Sequence, residues 1–95
     1  KNIEGNARIE SYLNSGIEKD LARFTDDITR IEVHLSDENG AQEGVDDIRC
    51  LMEARMEGRK PIAVTNKANS AELAIDGAIT KINTSVRTIV DKMRN

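Results

Sequence analysis

The chain of 95 residues has no tryptophan and only one each of phenylalanine, tyrosine, cysteine, proline and histidine. With so few rings, a core has to be built from Ile, Leu, Val, Met and Ala, which implies a small aliphatic domain of modest stability. A single cysteine excludes an internal disulfide, and Cys50, set in an alternating apolar run, reads as a small buried hydrophobe. One Cys and one His cannot make a Cys/His zinc site. No stretch of 18 apolar residues reads as a transmembrane helix, and no apolar signal-peptide core is visible. Glu57-Gly58-Arg59-Lys60 lacks the second glycine and the Lys-Ser/Thr pair of a phosphate loop. His34 has no Ser or Cys nucleophile at a recognisable spacing. These absences lead us to expect a non-enzymatic protein of a reducing, cytoplasmic compartment, with no catalytic residue, cofactor or metal.

What is present is charge. Lys and Arg number 14 and Asp and Glu 17, for a net charge of -3. The two halves differ: residues 1–47 carry 5 basic and 12 acidic side chains, whereas residues 48–95 carry 9 and 5. An acidic chain does not adhere generally to nucleic acid, although a local basic face is compatible with the balance.

Hydrophobic periodicity divides the chain into five elements. Ile9, Leu13, Ile17, Leu21 and Phe24 recur every three or four residues over an arc of about 120°, as on one face of a helix. Asn6 is suited to cap it, Asn14-Ser15-Gly16 weakens its middle, and it is expected to end near Thr25-Asp26-Asp27. Ile31, Val33 and Leu35 alternate with Glu32, His34 and Ser36 as a half-buried strand. Asp37 to Asp47 reads as a solvated loop whose acidic spacing is not that of a calcium loop. Ile48, Cys50, Met52, Ala54 and Met56 face one way along a second strand, with Leu51 a misfit on the other face. A hairpin turn over Glu57–Lys60 leads through Pro61 to a third strand with Ile62, Val64 and Asn66 inward. Asn69 or Ser70 caps a last helix whose apolar stripe is Ile75, Ile79, Ile82, Val86, Ile89, Val90 and Met93. The economical arrangement is an α+β two-layer sandwich, one domain over 1–95, with both helices on one face of a mostly antiparallel sheet.

The side chains that could carry a function are cationic. Arg8, Lys19 and Arg23 fall within about 60° on the first helix, with Tyr12 among them. On the last helix Lys81 and Lys92 flank one side of the core stripe, and Arg87 and Arg94 the other. Helices lying side by side would present these groups to a phosphate backbone, with Tyr12 free to stack on a base or ribose. The opposite reading is ordinary solvated helix faces, since Glu10, Glu18, Asp20, Asp76 and Asp91 share them.

Ala74-Ile75-Asp76-Gly77 with Ile79, Lys81 and Ile82, then Asp91-Lys92-Met93-Arg94, resembles the ribosome hibernation-promoting factor family, which includes ribosome-associated inhibitor and sigma-factor modulation proteins. Phe24-x-Asp26-x-Ile28-x-x-Ile31-x-Val33-x-Leu35 is similar to the passage from helix to strand in that family. The resemblance implies a β-α-β-β-β-α domain whose first strand precedes Asn2. A missing strand would expose a sheet edge and invite a homodimer or a swapped partner strand. The resemblance also implies a bacterial, cytoplasmic stress-response protein that binds ribosomal RNA of the small subunit and silences translation. Arg8, Tyr12, Lys19, Arg23, Lys81, Arg87, Lys92 and Arg94 would be its RNA-binding residues. Asp20, Asp27, Thr84, Thr88 and Val90 depart from the family's basic or polar positions. An alternative is therefore an acidic protein-interaction module on the same fold that has lost ribosome binding. A double-stranded-RNA-binding domain shares the order of elements but requires a Lys-rich start to its last helix, where this chain has Asn69-Ser70-Ala71-Glu72.

Overall fold

In a computed structural model describing residues 7–37 and 48–93, the alternating run around Cys50 becomes the central strand of a three-stranded antiparallel sheet. The elements in chain order are α1 (Ala7–Asp20), β1 (Ile28–Asp37), β2 (Ile48–Met56), β3 (Ile62–Ala68) and α2 (Ala71–Met93). The sheet order is β1-β2-β3. Asn6, the Glu38–Asp47 part of the acidic loop and the strand expected before Asn2 lie outside the described residues.

Register follows the two-residue period of the side chains. Leu35 pairs with Cys50, Val33 with Met52 and Ile31 with Ala54, and across the other seam Met52 pairs with Val64 and Cys50 with Asn66. Cys50, Met52, Ala54 and Met56 are buried on one face, and Leu51 lies on the other. Burial pushes the Cys50 thiol up to about 11, consistent with its reading as a small hydrophobe. The ladder slips once, between Ile28 and Arg30, where the Thr29 hydroxyl donates to the Arg55 carbonyl at 3.0 Å. Gly58, with φ 74°, turns the β2–β3 hairpin in the left-handed region that glycine adopts without strain.

Both helices contribute to the core on the inward face of the sheet, which gives the expected α+β two-layer arrangement. Helix α2 lies over β2 and β3, and α1 packs against α2. Ser70 caps α2, accepting the Leu73 N–H at 3.2 Å. Ile75, Ile79, Ile82, Val86 and Val90 are buried as the stripe requires, together with Ala74 and Ala78, whose small side chains let the helix approach the sheet closely. Met93, expected in the stripe, is 47% exposed. A helix of 23 residues is about 34 Å long, whereas the 7 residues of β3 span about 23 Å, so the end of the helix beyond the buried Val90 outlasts β3.

The first helix also ends earlier than its stripe suggests. It stops at Asp20, and Ala22–Phe24 form one turn of 3₁₀ helix. The tighter winding still brings Leu21 and Phe24 into the core. Asn14-Ser15-Gly16 stays helical, because Gly16 lies where α1 crosses Ile79 of α2.

The orientation of α2 is fixed by Asn66, an inward-facing polar residue of β3. Its amide donates to the Ala74 carbonyl at 3.2 Å and the Leu73 carbonyl at 3.4 Å, using their second lone pairs. Gly77 makes room for it: a methyl at that position would overlap the Asn66 carboxamide. We therefore expect Gly77→Ala to lower stability by about 1–3 kcal/mol, through overpacking and loss of the Asn66 bonds. At Gly16 a methyl would meet only the Ile79 Cδ1 tip, at 2.8 Å, which can rotate away. Because alanine also gains about 1 kcal/mol of helix propensity, Gly16→Ala should stay within about 1 kcal/mol of the parent. Urea denaturation of both variants checks this, and equal losses at the two positions would contradict it.

Candidate nucleic-acid interface

The two helices run parallel, and their outer seam is polar. Arg8 binds Glu72, the Tyr12 hydroxyl donates to Asp76 Oδ1 at 2.7 Å, and the Asn83 amide donates to the Asp20 carbonyl at 2.6 Å. The near-constant offset between partners, 64, 64 and 63 residues, shows the parallel direction. The last of these bonds satisfies a carbonyl in the final turn of α1 that has no helical partner.

These contacts change the chemistry of the groups that make them. The hydrogen bond from Arg8, reinforced by a backbone N–H bond and by the guanidinium charge, holds the Glu72 carboxyl below its ordinary range against some desolvation. The hydrogen bond to the Asp76 carboxylate raises the Tyr12 phenol above its ordinary value, with desolvation and the charges of Asp76 and Glu72 acting in the same direction. Tyr12 is therefore a neutral phenol whose proton is engaged by α2.

Two adjoining hollows open along the seam and share Asp20 and Ile79. One, of about 220 Å³, is lined by Tyr12, Ser15, Lys19 and Asp76. The other, of about 160 Å³, is lined by Thr80, Asn83, Thr84 and Arg87. Tyr12, Lys19 and Arg87 are thus gathered along one groove, with Arg8 at its upper end. Arg23 lies beyond α1 with its guanidinium carbon 5.4 Å from the centre of the Phe24 ring, a cation–π distance. Lys81 faces away from α1: its Nζ donates to the Thr65 carbonyl at 2.7 Å and covers part of the β3 edge. Lys92 is exposed on the same side of α2 as Lys81, and Arg94 lies outside the described residues. The uncharged Ser15, Thr80, Asn83 and Thr84 were not anticipated in the groove; the spacing of four between Thr80 and Thr84 was the available signal.

Charge on this layer is balanced. Helices α1 and α2 carry five Lys/Arg and six Asp/Glu between them. The outer face of the sheet carries Arg30, Arg49, Arg55 and Lys67 against Glu32 and Glu53, with ion pairs among four of these six. Arg30 faces Arg55 and Glu32 faces Glu53 across strands, but Glu32 binds Arg30 at 3.2 Å and Arg55 at 3.4 Å, while Arg55 binds Glu53 at 3.0 Å. His34 is exposed on that face opposite Leu51. Among the described residues no group of three or more His, Cys, Asp or Glu could hold a metal, and no helix is long and apolar enough to cross a membrane.

The family of sigma 54 modulation protein / S30EA ribosomal protein matches residues 1–94, and the chain belongs to it. No curated protein matches the chain.

The seam makes a pH prediction. A carboxyl held low in the folded state contributes stability above its unfolded pKa, and that contribution is lost as pH falls through the lower folded value. Arg8→Ala should raise the Glu72 carboxyl toward its ordinary range, leaving only the backbone N–H bond to lower it, and reduce this part of the acid-side decline in stability. Carboxyl NMR titration of parent and variant reads the shift directly. An unchanged Glu72 titration would show that Arg8 does not hold it.

Proposed function

We propose that this family member associates with the ribosome, binding ribosomal RNA of the small subunit through the outer face of its helix pair and inhibiting translation in resting or stressed cells. Family membership over residues 1–94 carries the reading. Its mechanism is non-enzymatic. A rigid layer of two parallel helices occupies the path used by messenger and transfer RNA, while Lys19, Arg23, Arg87 and Lys92 neutralise phosphates and release counterions. The site of action is the cytoplasm, where ribosomes are.

The internal pairing of Arg8 and the near-neutral balance of the helices favour modest affinity with few phosphate contacts. That same balance favours the second reading, a protein-interaction module that has lost ribosome binding. A further sheet contact has a natural place in either case. Among the described residues β1 pairs only with β2, and its open side borders a trough of about 420 Å³ lined by Ile17, Leu21, Phe24, Ile28 and Ile31. A strand of this chain or of a second copy would pair there.

Co-sedimentation with purified small subunits tests the reading. If the four named cations each contact a phosphate, the slope of log affinity against log salt is about -3, and a fourfold rise in salt weakens binding about sixtyfold. Absence of binding at low salt would refute it. Capture of a protein partner from nuclease-treated lysate, without subunit binding, would favour the second reading.

A further inference from the structure

Between its two flanks of cations, α2 turns an uncharged strip outward. Leu73, Thr80, Thr84 and Thr88 fall within about 80° on the side away from the core. Leu73 and the three threonines are exposed. In a chain that is 33% Asp, Glu, Lys and Arg, this line runs from Leu73 to Thr88 without a charge and ends at the exposed Asp91. Phosphate binding alone gives no reason for a row of hydroxyls where cations would bind more strongly.

The hydroxyls bond back to their own helix. Thr80 donates to the Asp76 carbonyl at 3.1 Å, Thr84 to the Thr80 carbonyl at 3.1 Å and Thr88 to the Thr84 carbonyl at 2.9 Å. Each proton is therefore directed back into the helix. What faces outward is a row of oxygen lone pairs, one about every 6 Å along the axis, with a γ-methyl beside each. Beside this row lies the seam groove, whose hollows are rimmed by Lys19 and Arg87.

Such a surface accepts hydrogen bonds and does not donate them, except at its cationic rim. A phosphate oxygen is an acceptor, so the threonine row offers it nothing. A ribose 2′-hydroxyl is a donor, and it is the group that distinguishes RNA from DNA. We propose that the Thr80–Thr84–Thr88 row reads the 2′-hydroxyls of a ribonucleotide chain whose phosphates are held by Lys19 and Arg87. The proposal rests on the RNA-binding reading above and adds to it a sugar-specific subsite. Division of labour follows. The cations set the salt dependence, and the threonines set the preference for RNA over DNA.

The test uses the 95-residue chain and the variant Thr80→Val/Thr84→Val/Thr88→Val. Valine keeps the shape and a similar helix propensity while removing the acceptor. Binding of a mixed-sequence oligoribonucleotide of about 12 nucleotides, a length within the range that small single-strand-binding folds occupy, is compared with that of its 2′-deoxy counterpart by fluorescence anisotropy. The parent should prefer the ribo form by about tenfold, as a few net hydrogen bonds allow. The triple variant should bind both forms alike, with the salt slope unchanged, whereas Lys19→Ala/Arg87→Ala should flatten the slope and keep the preference. Equal affinity of the parent for the two oligonucleotides, binding to neither, or a ribo preference retained by the triple variant would each overturn the proposal. Small-subunit co-sedimentation is measured separately. Subunit binding with any of these outcomes means that the ribosome reading stands and the threonine subsite does not.

Discussion

The contact of Asn66 with the start of α2 sets the geometry of everything outside it. Asn66 points into an otherwise apolar layer, where an unbonded amide would cost about 1–3 kcal/mol. It meets that demand through the carbonyls of Leu73 and Ala74, which is possible only if α2 lies close to β3. Gly77 permits the approach. Once this turn is fixed, the rotation of α2 about its axis is fixed as well, since each further residue follows at 100°. Ile75, Ile79, Ile82 and Val86 must then face the sheet. Glu72, Asp76 and Asn83 must face α1, and Leu73 and the three threonines must face outward.

Helix α1 is placed by α2 more than by the sheet. It meets α2 along a parallel seam where Gly16 admits Ile79, and ionic and polar pairs close the outside. This dependence explains the divided fate of the basic side chains. Lys81 is carried to the β3 edge and held by Thr65, while Arg87, six residues later on the same helix, is carried to the groove. Because residues of one helix point in different directions about its axis, the layer does not concentrate all its cations on one side. The proposed function follows from a few well-placed charges beside a neutral, hydroxyl-rich helix face.

Much of this fold was legible in the sequence because its signals were local. The two-residue period over Ile48–Met56 marked the central strand and its buried face, including the misfit Leu51. The stripe from Ile75 to Val90 marked the buried side of α2, and Ser70 stood where a cap was needed. The misses arose from distances between elements. Met93 continues the stripe, but the sheet beneath it has ended. Leu21 and Phe24 keep phase with α1, yet they reach the core through a 3₁₀ turn after Asp20, a winding that apolar spacing does not distinguish from the α-helix. In the candidate interface, Arg8, Tyr12, Lys19 and Arg87 were picked out by their position on a helix face. Their partners were not, because Glu72 and Asp76 stand 64 residues away from Arg8 and Tyr12, and only the parallel packing brings them together.

The most direct test of the account places a photo-reactive side chain at Ser15, on the groove between the helices, and irradiates the protein with purified small ribosomal subunits. Cross-links to ribosomal RNA, lost when the salt is raised, are what the account predicts. Cross-links from Ser15 to protein alone, or a Ser15 probe that stays unreacted while one on the outer sheet face at Ala63 labels the subunit, would contradict it.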